Sequence, residues 1–219
     1  RGRRDRHHQQ ARGRAWSHLG TKSLPASDGG GREVAQHHSG CVFGQEHYGG
    51  VTLPQSDQGI SRERYMLIPR VLIFLRRGES VLLIKGAPTK RLWANKYNGI
   101  GGHVERGENV LFSAQRELLE ETGLLVDLWL CGTVIVDAGD ASTGICLFVF
   151  CGENVKGELK AGEEGAVEWV KRDAVLHLPV VEDLPILLER IHTMQRGDPP
   201  FSARSYYDEN DQLKVVFGE

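Results

Sequence analysis

The residues able to do chemistry are crowded between Gly102 and Leu124, in GHVERGENVLFSAQRELLEETGL. A glycine turn and an isolated acid, Glu108, lead into Arg116-Glu117-Leu118-Leu119-Glu120-Glu121-Thr122-Gly123. Asn109 is a good helix N-cap, and Gly123 stands where a helix C-terminus favours a left-handed residue. Good helix formers fill the interval. On that helix Glu117, Glu120 and Glu121 are related as i, i+3 and i+4 and share a face. Leu111, Gln115, Leu118, Leu119 and Thr122 fall on the other side, which predicts a largely apolar face against a core. Like charges at this spacing repel by roughly 0.2–0.5 kcal/mol per pair, so the helix calls for a cation. Oxygen donors of this kind suit Mg²⁺ or Mn²⁺. A bare Glu-x-x-Glu-Glu run is more often a solvated helix face, and the wider spacing has to decide.

That spacing is Gly102, five residues, Glu108, seven residues, then the Arg116–Leu124 run. It resembles the Nudix box, G-x5-E-x7-R-E-U-x-E-E-x-G-U with U apolar, at every fixed position. The resemblance implies an α/β (α+β) fold with a mixed β-sheet sandwiched between helices. It implies Mg²⁺-dependent hydrolysis, with Mn²⁺ an alternative ion, of a nucleoside diphosphate linked to another group. Glu117, Glu120, Glu121 and the carbonyl of Gly102 correspond to the family's metal ligands. Arg116 corresponds to the residue that orients the box carboxylates, Glu108 to a scaffold acid, and Gly123 to the closing glycine. Glu120 and Glu121 are also candidate catalytic acids. The family usually adds an acid from a loop ahead of a strand tryptophan. Before Trp169 this points to Glu164, then Glu163, as an extra ligand or the general base, against the alternative of a solvated acidic turn. Lys85 and Arg91 are candidates to steady phosphates, although exposed cations are usually just surface.

Asn98-Gly99-Ile100-Gly101-Gly102-His103-Val104 resembles the segment before the box in MutT-like 8-oxo-dGTP diphosphatases, whose asparagine reads an oxidised purine. An amide offers both a donor and an acceptor to such an edge. A turn asparagine before glycine is the equally weighted alternative. Trp93 or Phe148 could stack on the base, Phe148 doubling as a core candidate. Val136–Thr143 lacks the proline or tyrosine that marks hydrolases of ADP-ribose or of diadenosine polyphosphates. The resemblance therefore favours a nucleoside triphosphate, cleaved to monophosphate and pyrophosphate in nucleotide-pool sanitation. Two alternatives stand beside it. One is a pyrophosphatase of ADP-ribose, nucleotide sugars or dinucleotides. The other is a catalytically silent nucleotide-sensing or RNA-associated module, against which the complete set of box acids counts.

The elements that must position these residues follow from periodicity. Val71–Leu75 and Val81–Lys85 read as strands around an Arg76–Glu79 hairpin. Leu124–Val136, Gly144–Phe150 and Val167–Val170 are further strands, and Lys171–Leu176 a short helical turn. Glu182–Met194 carries apolar residues at helical spacing, with Pro185 in its first turn. Ser202–Phe217 reads as a closing hairpin around Asp208–Asp211.

The chain has 219 residues and a net charge of −2, which argues neither for nor against a nucleic-acid partner. The expected partner is a small nucleotide, with no nucleic acid and no membrane. Oligomeric state stays open, a homodimer included. The four cysteines form no C-x-x-C pair, which fits reduced thiols in a cytoplasmic protein. Residues 1–64 are basic, rich in Gly and His, and show no sustained period, which reads as a disordered or non-native extension. The first methionine is Met66, and the catalytic domain is expected over 65–219.

Overall fold

In the computed structural model, residues 59–61, 63–160 and 165–218 are described. The expectations for the extension fall almost wholly outside them, and those for Glu163 and Glu164 entirely so.

The continuous apolar run Val71–Leu75 predicts a strand buried on both faces. It is the middle of strand β1 (Met66–Arg77), and all five residues are buried. β1 pairs in parallel with β5 (Thr143–Gly152) along ten residue pairs, and meets β2 (Ser80–Gly86) antiparallel at the Arg76–Val81 hairpin end. The eight-stranded mixed sheet runs β3-β2-β1-β5-β4-β7-β8, with β6 on β2. Here β3 is Tyr97–Asn98, β4 Leu128–Val136, β6 Gly165–Lys171, β7 Phe201–Tyr207 and β8 Leu213–Phe217. Beyond the β1–β5 pairing, β4 and β7 are also parallel, and the other ladders are antiparallel. Side-chain alternation along β1 feeds two cores. Val71, Ile73 and Leu75 pack with Ala114 and Leu118 of helix α1 (Val110–Thr122), while Leu72 and Phe74 pack with Leu184, Leu187, Leu188 and Ile191 of α3 (Leu184–His192). A four-residue helix, α2 (Arg172–Val175), follows β6. This is the mixed sheet with flanking helices that the sequence predicts.

Helix α1 is capped as expected: Asn109 accepts the Phe112 N–H at 2.9 Å, and Gly123 closes it at φ 73°. Its buried face differs from the expectation. Ser113, Ala114, Leu118, Glu121 and Thr122 are buried, whereas Leu111, Gln115 and Leu119 are exposed. The helix is rotated so that Glu121 joins Leu118 and Thr122 toward the sheet, while Leu111 and Leu119 turn out. Glu121 meets there the backbone N–H of Gly101, in a loop whose glycines add no side-chain bulk. Strand β4 likewise starts at Leu128 rather than Leu124, because Leu124 is spent in the core beneath the end of α1. The closing hairpin is present, with Asp208 accepting the N–H groups of Asn210 and Gln212 in its turn. Cys131, Cys146 and Cys151 are free thiols. Among the described residues, no helix is long and apolar enough to cross a membrane.

Candidate active site

The segment before α1 is laced onto β1 by its backbone. Ile73 and Ile100 exchange hydrogen bonds at 2.7 and 3.2 Å, Val71 N–H donates to Gly102 O at 2.9 Å, and Val104 N–H donates to Pro69 O at 3.2 Å. This holds Gly102 against the first box acid. A Cβ at Gly102 would lie 2.3 Å from Glu117 Oε1, so only glycine allows the two to approach. The Gly102 carbonyl spends one lone pair on Val71 and keeps one for another partner. Glu121, only 4% exposed, accepts the Gly101 N–H at 3.3 Å.

Arg116 organises the remaining acids. Its Nε–H and one terminal nitrogen donate to the two oxygens of Glu108 at 2.7 and 3.0 Å, a bidentate pair. The other terminal nitrogen donates to Glu117 at 2.9 Å and Glu120 at 3.0 Å. The His103 carbonyl accepts from Arg116 at 3.1 Å and from the Ser113 hydroxyl at 3.2 Å. Glu108 also accepts the Glu105 N–H. The hydrogen bonds from Arg116, with smaller help from Glu105 and Ser113, hold the Glu108 carboxyl down at about 2. The same pairing raises Arg116 above the ordinary guanidinium value. Glu120 is the outermost of the three helix acids, its side chain 58% exposed.

Beside this cluster opens a cleft of about 420 Å³, within the range of small-molecule sites. Asn98, Trp93, Gly102 and Glu117 line it, together with Arg70, His103, Leu147, Val181 and Asp183. Of the sequence-derived substrate candidates, the fold thus brings Asn98 and Trp93 to the box. Asn98 Oδ1 accepts the Gly99 N–H at 2.8 Å, and Trp93 adopts the left-handed conformation at φ 59°. Lys85 and Arg91 are absent from the lining. Lys85, opposite Tyr97 and Ala166 in the ladders, instead lies over the Tyr97 ring. Phe148 packs on the α1 side of the sheet, and its neighbour Leu147 takes the cleft-side position by strand alternation.

Asp183 escaped the sequence reading. An acid two residues before Pro185 looks like a helix cap, yet its side chain makes no capping bond. Tyr97 N–H donates to Pro179 O and Val181 N–H to Tyr97 O, at 2.8 and 3.0 Å, and this tie carries Asp183 to the side of Asn98. Burial raises the Asp183 carboxyl above its ordinary value. No sequence signal marks Asp183, since only the tie to β3 gives it a neighbour.

Glu117, Glu120, Glu121 and the Gly102 carbonyl form an all-oxygen donor set of the kind hard divalent cations take. Among the described residues, no three acidic, His or Cys side chains already converge as an ion cage. Arg116 draws Glu117 and Glu120 to itself, and Glu121 is turned to Gly101. The donors fit such an ion in chemistry, and binding it would require them to exchange partners.

The NUDIX domain model matches residues 66–191. An oxidized purine nucleoside triphosphate hydrolase of Mus musculus is 30% identical over 124 residues, covering 54% of this chain and 78% of that protein. A protein of the same name from Danio rerio is 32% identical over 94 residues, covering 42% of this chain and 60% of its own length. The crystal structure of a MutT protein from Bacillus halodurans superposes with a TM-score of 0.58 at 25% identity, covering 69% of this chain and 97% of its own. With the box acids gathered on one helix and the family match running from β1 through α3, the chain belongs to the Nudix family and is a Nudix hydrolase.

Proposed function

We propose that the protein hydrolyses a purine nucleoside triphosphate, oxidised or ordinary, to the monophosphate and pyrophosphate. The observation that carries this reading is the shared cleft. Asn98 and Asp183 line it with Glu117 and Gly102, so a base-reading edge adjoins the acids of the box. The Asn98 amide offers a donor and an acceptor to a purine edge, and the Asp183 carboxyl, its pKa raised by burial, stands beside it. The names of the mouse and zebrafish relatives support the same substrate class.

Nudix hydrolases generally use divalent metal ions, and the oxygen donors here favour Mg²⁺, with Mn²⁺ as substitute. When bound, the ion would neutralise phosphate charge and lower the pKa of water. Glu117, Glu121 and the Gly102 carbonyl would hold it, with Glu120 completing the set. Arg116 and Glu108 keep the helix acids in place. A carboxylate accepts the proton of the attacking water as its oxygen bonds to phosphorus and the bridging P–O bond breaks, pyrophosphate leaving with the electron pair. The candidates for that proton are Glu120 and Glu121, with Glu164 and Glu163 from the sequence just before β6. The domain responsible is residues 65–219.

The test is a substrate panel with Mg²⁺. We expect dGTP and 8-oxo-dGTP to be cleaved with higher kcat/KM than ADP-ribose, nucleotide sugars or dinucleotides. The reverse order overturns the substrate reading. Asn98→Ala should narrow the preference between oxidised and ordinary purine while leaving cleavage intact. No turnover on any member of the panel would favour a silent module.

A further inference from the structure

Arg70 enters the cleft from β1, beside the box, and no feature of the sequence singles it out. Its Nε–H donates to His103 Nε2 at 3.1 Å, across a backbone bridge between the same two residues. That bond is accepted by a lone pair on the imidazole Nε2. It occupies one N–H of the guanidinium and leaves the two terminal nitrogens with no hydrogen bond or ion pair among the described residues. Glu105, Glu117 and Asp183 line the same cleft, yet none pairs with Arg70. Arg116 on the neighbouring helix shows the contrast, being bonded to three carboxylates. Arg70 is half-buried, and burial disfavours its charge, lowering its pKa. A partly desolvated cation with no ion-pair partner among the described residues, held by one edge, is a preorganised anion receptor. The planar fork of terminal N–H groups matches two oxygens of one phosphate.

We propose that Arg70 is a phosphate-binding residue of the cleft, gripping non-bridging oxygens of the substrate's polyphosphate chain through its terminal nitrogens, with His103 as its positioning residue. This rests on the triphosphate reading above. It gives the cleft a phosphate anchor that Lys85 and Arg91, both outside the lining, do not supply.

The experiment uses the full chain and the variants Arg70→Ala, Arg70→Lys and His103→Ala. Binding of α,β-methylene-dGTP and of dGMP is measured with Mg²⁺, alongside kcat and KM for dGTP. Arg70→Ala should weaken triphosphate-analogue binding about 10-fold or more, as loss of a charge-assisted pair does. KM should rise in parallel, kcat should change far less, and dGMP binding should fall less than analogue binding. Arg70→Lys should recover part of the loss, which a purely structural role would not predict. His103→Ala should shift KM in the same direction by a smaller factor. Equal weakening of dGMP and the analogue would place Arg70 no further along the ligand than the α-phosphate and overturn its role on the polyphosphate chain. Wild-type affinity in Arg70→Ala would overturn it as well, with the triphosphate reading intact. A wild-type protein that neither binds nor cleaves any triphosphate would remove that reading and this proposal together.

Discussion

The acid face of α1 and the adjoining cleft wall are both rich in polar groups, and they use them in opposite ways. Around Arg116 the groups satisfy one another: Glu108, Glu117, Glu120, Ser113 and the His103 carbonyl are joined through one guanidinium. Along the cleft the groups are half-used. Arg70 spends one N–H, Asn98 one acceptor, and the side chain of Asp183 makes no capping bond. A self-bonded network holds its shape without a ligand, which is what positions reacting groups. Unspent polarity is what discriminates between ligands, since a wrong ligand leaves it unpaired.

The largest effect should come from the wall that does the chemistry. Glu117→Gln keeps the shape and removes a charge, and kcat should fall by about 100-fold or more with an unchanged circular dichroism spectrum. Wild-type turnover in that variant would remove the acid face from the mechanism. Gly102→Ala sharpens the same point, because it alters no charge. The new Cβ would sit 2.3 Å from Glu117 Oε1 and force the carboxylate aside. Displacement by about 1 Å is enough to cost on the order of 100-fold in rate. Cleavage at near wild-type rate would mean that this close approach is incidental.

The rotation of α1 can be broken separately. Leu118 is 1% exposed and Leu119 46% exposed. Leu118→Ala should lower stability by about 2–5 kcal/mol in urea unfolding, whereas Leu119→Ala should stay within about 0.5 kcal/mol. Equal effects would return the helix to the leucine-inward orientation. The smallest effect is a pH dependence. The Glu108 carboxyl lies at about 2 in the folded state, below its ordinary value of 4.5. Its contribution to stability is therefore present above pH 4.5 and lost as the pH falls toward 2. Urea midpoints across that window should decline more steeply for wild type than for Glu108→Gln, and parallel curves would show that the pairing with Arg116 adds nothing.

Local patterns were legible where the cause is local. The Asn109 cap, the Gly123 terminator, the hairpin at Arg76–Glu79 and the Pro185 helix start depend on backbone preferences a few residues long. The face on which α1 is buried was not legible. Helical spacing groups Leu111, Leu118 and Leu119 as plausibly as it groups Ala114, Leu118 and Glu121, and only the loop at Gly101 and Gly102 breaks the tie. Phe148 takes the core place the sequence also allowed it, and Lys85 lies over Tyr97 rather than in the cleft lining. Strand alternation settles which neighbour shares a face, while the pairing of strands settles what that face meets.

By itself the sequence determined the reaction class. The spacing of Gly102, Glu108, Arg116, Glu117, Glu120 and Glu121 is a property of one continuous segment, and a helix of fixed pitch converts it into a carboxylate face. Only the tertiary structure decided the company those carboxylates keep. Arg70 from β1 and Asp183 from the start of α3 reach the cleft through parallel pairing and a backbone tie across some eighty residues or more. No local preference encodes contacts that long-range packing alone creates.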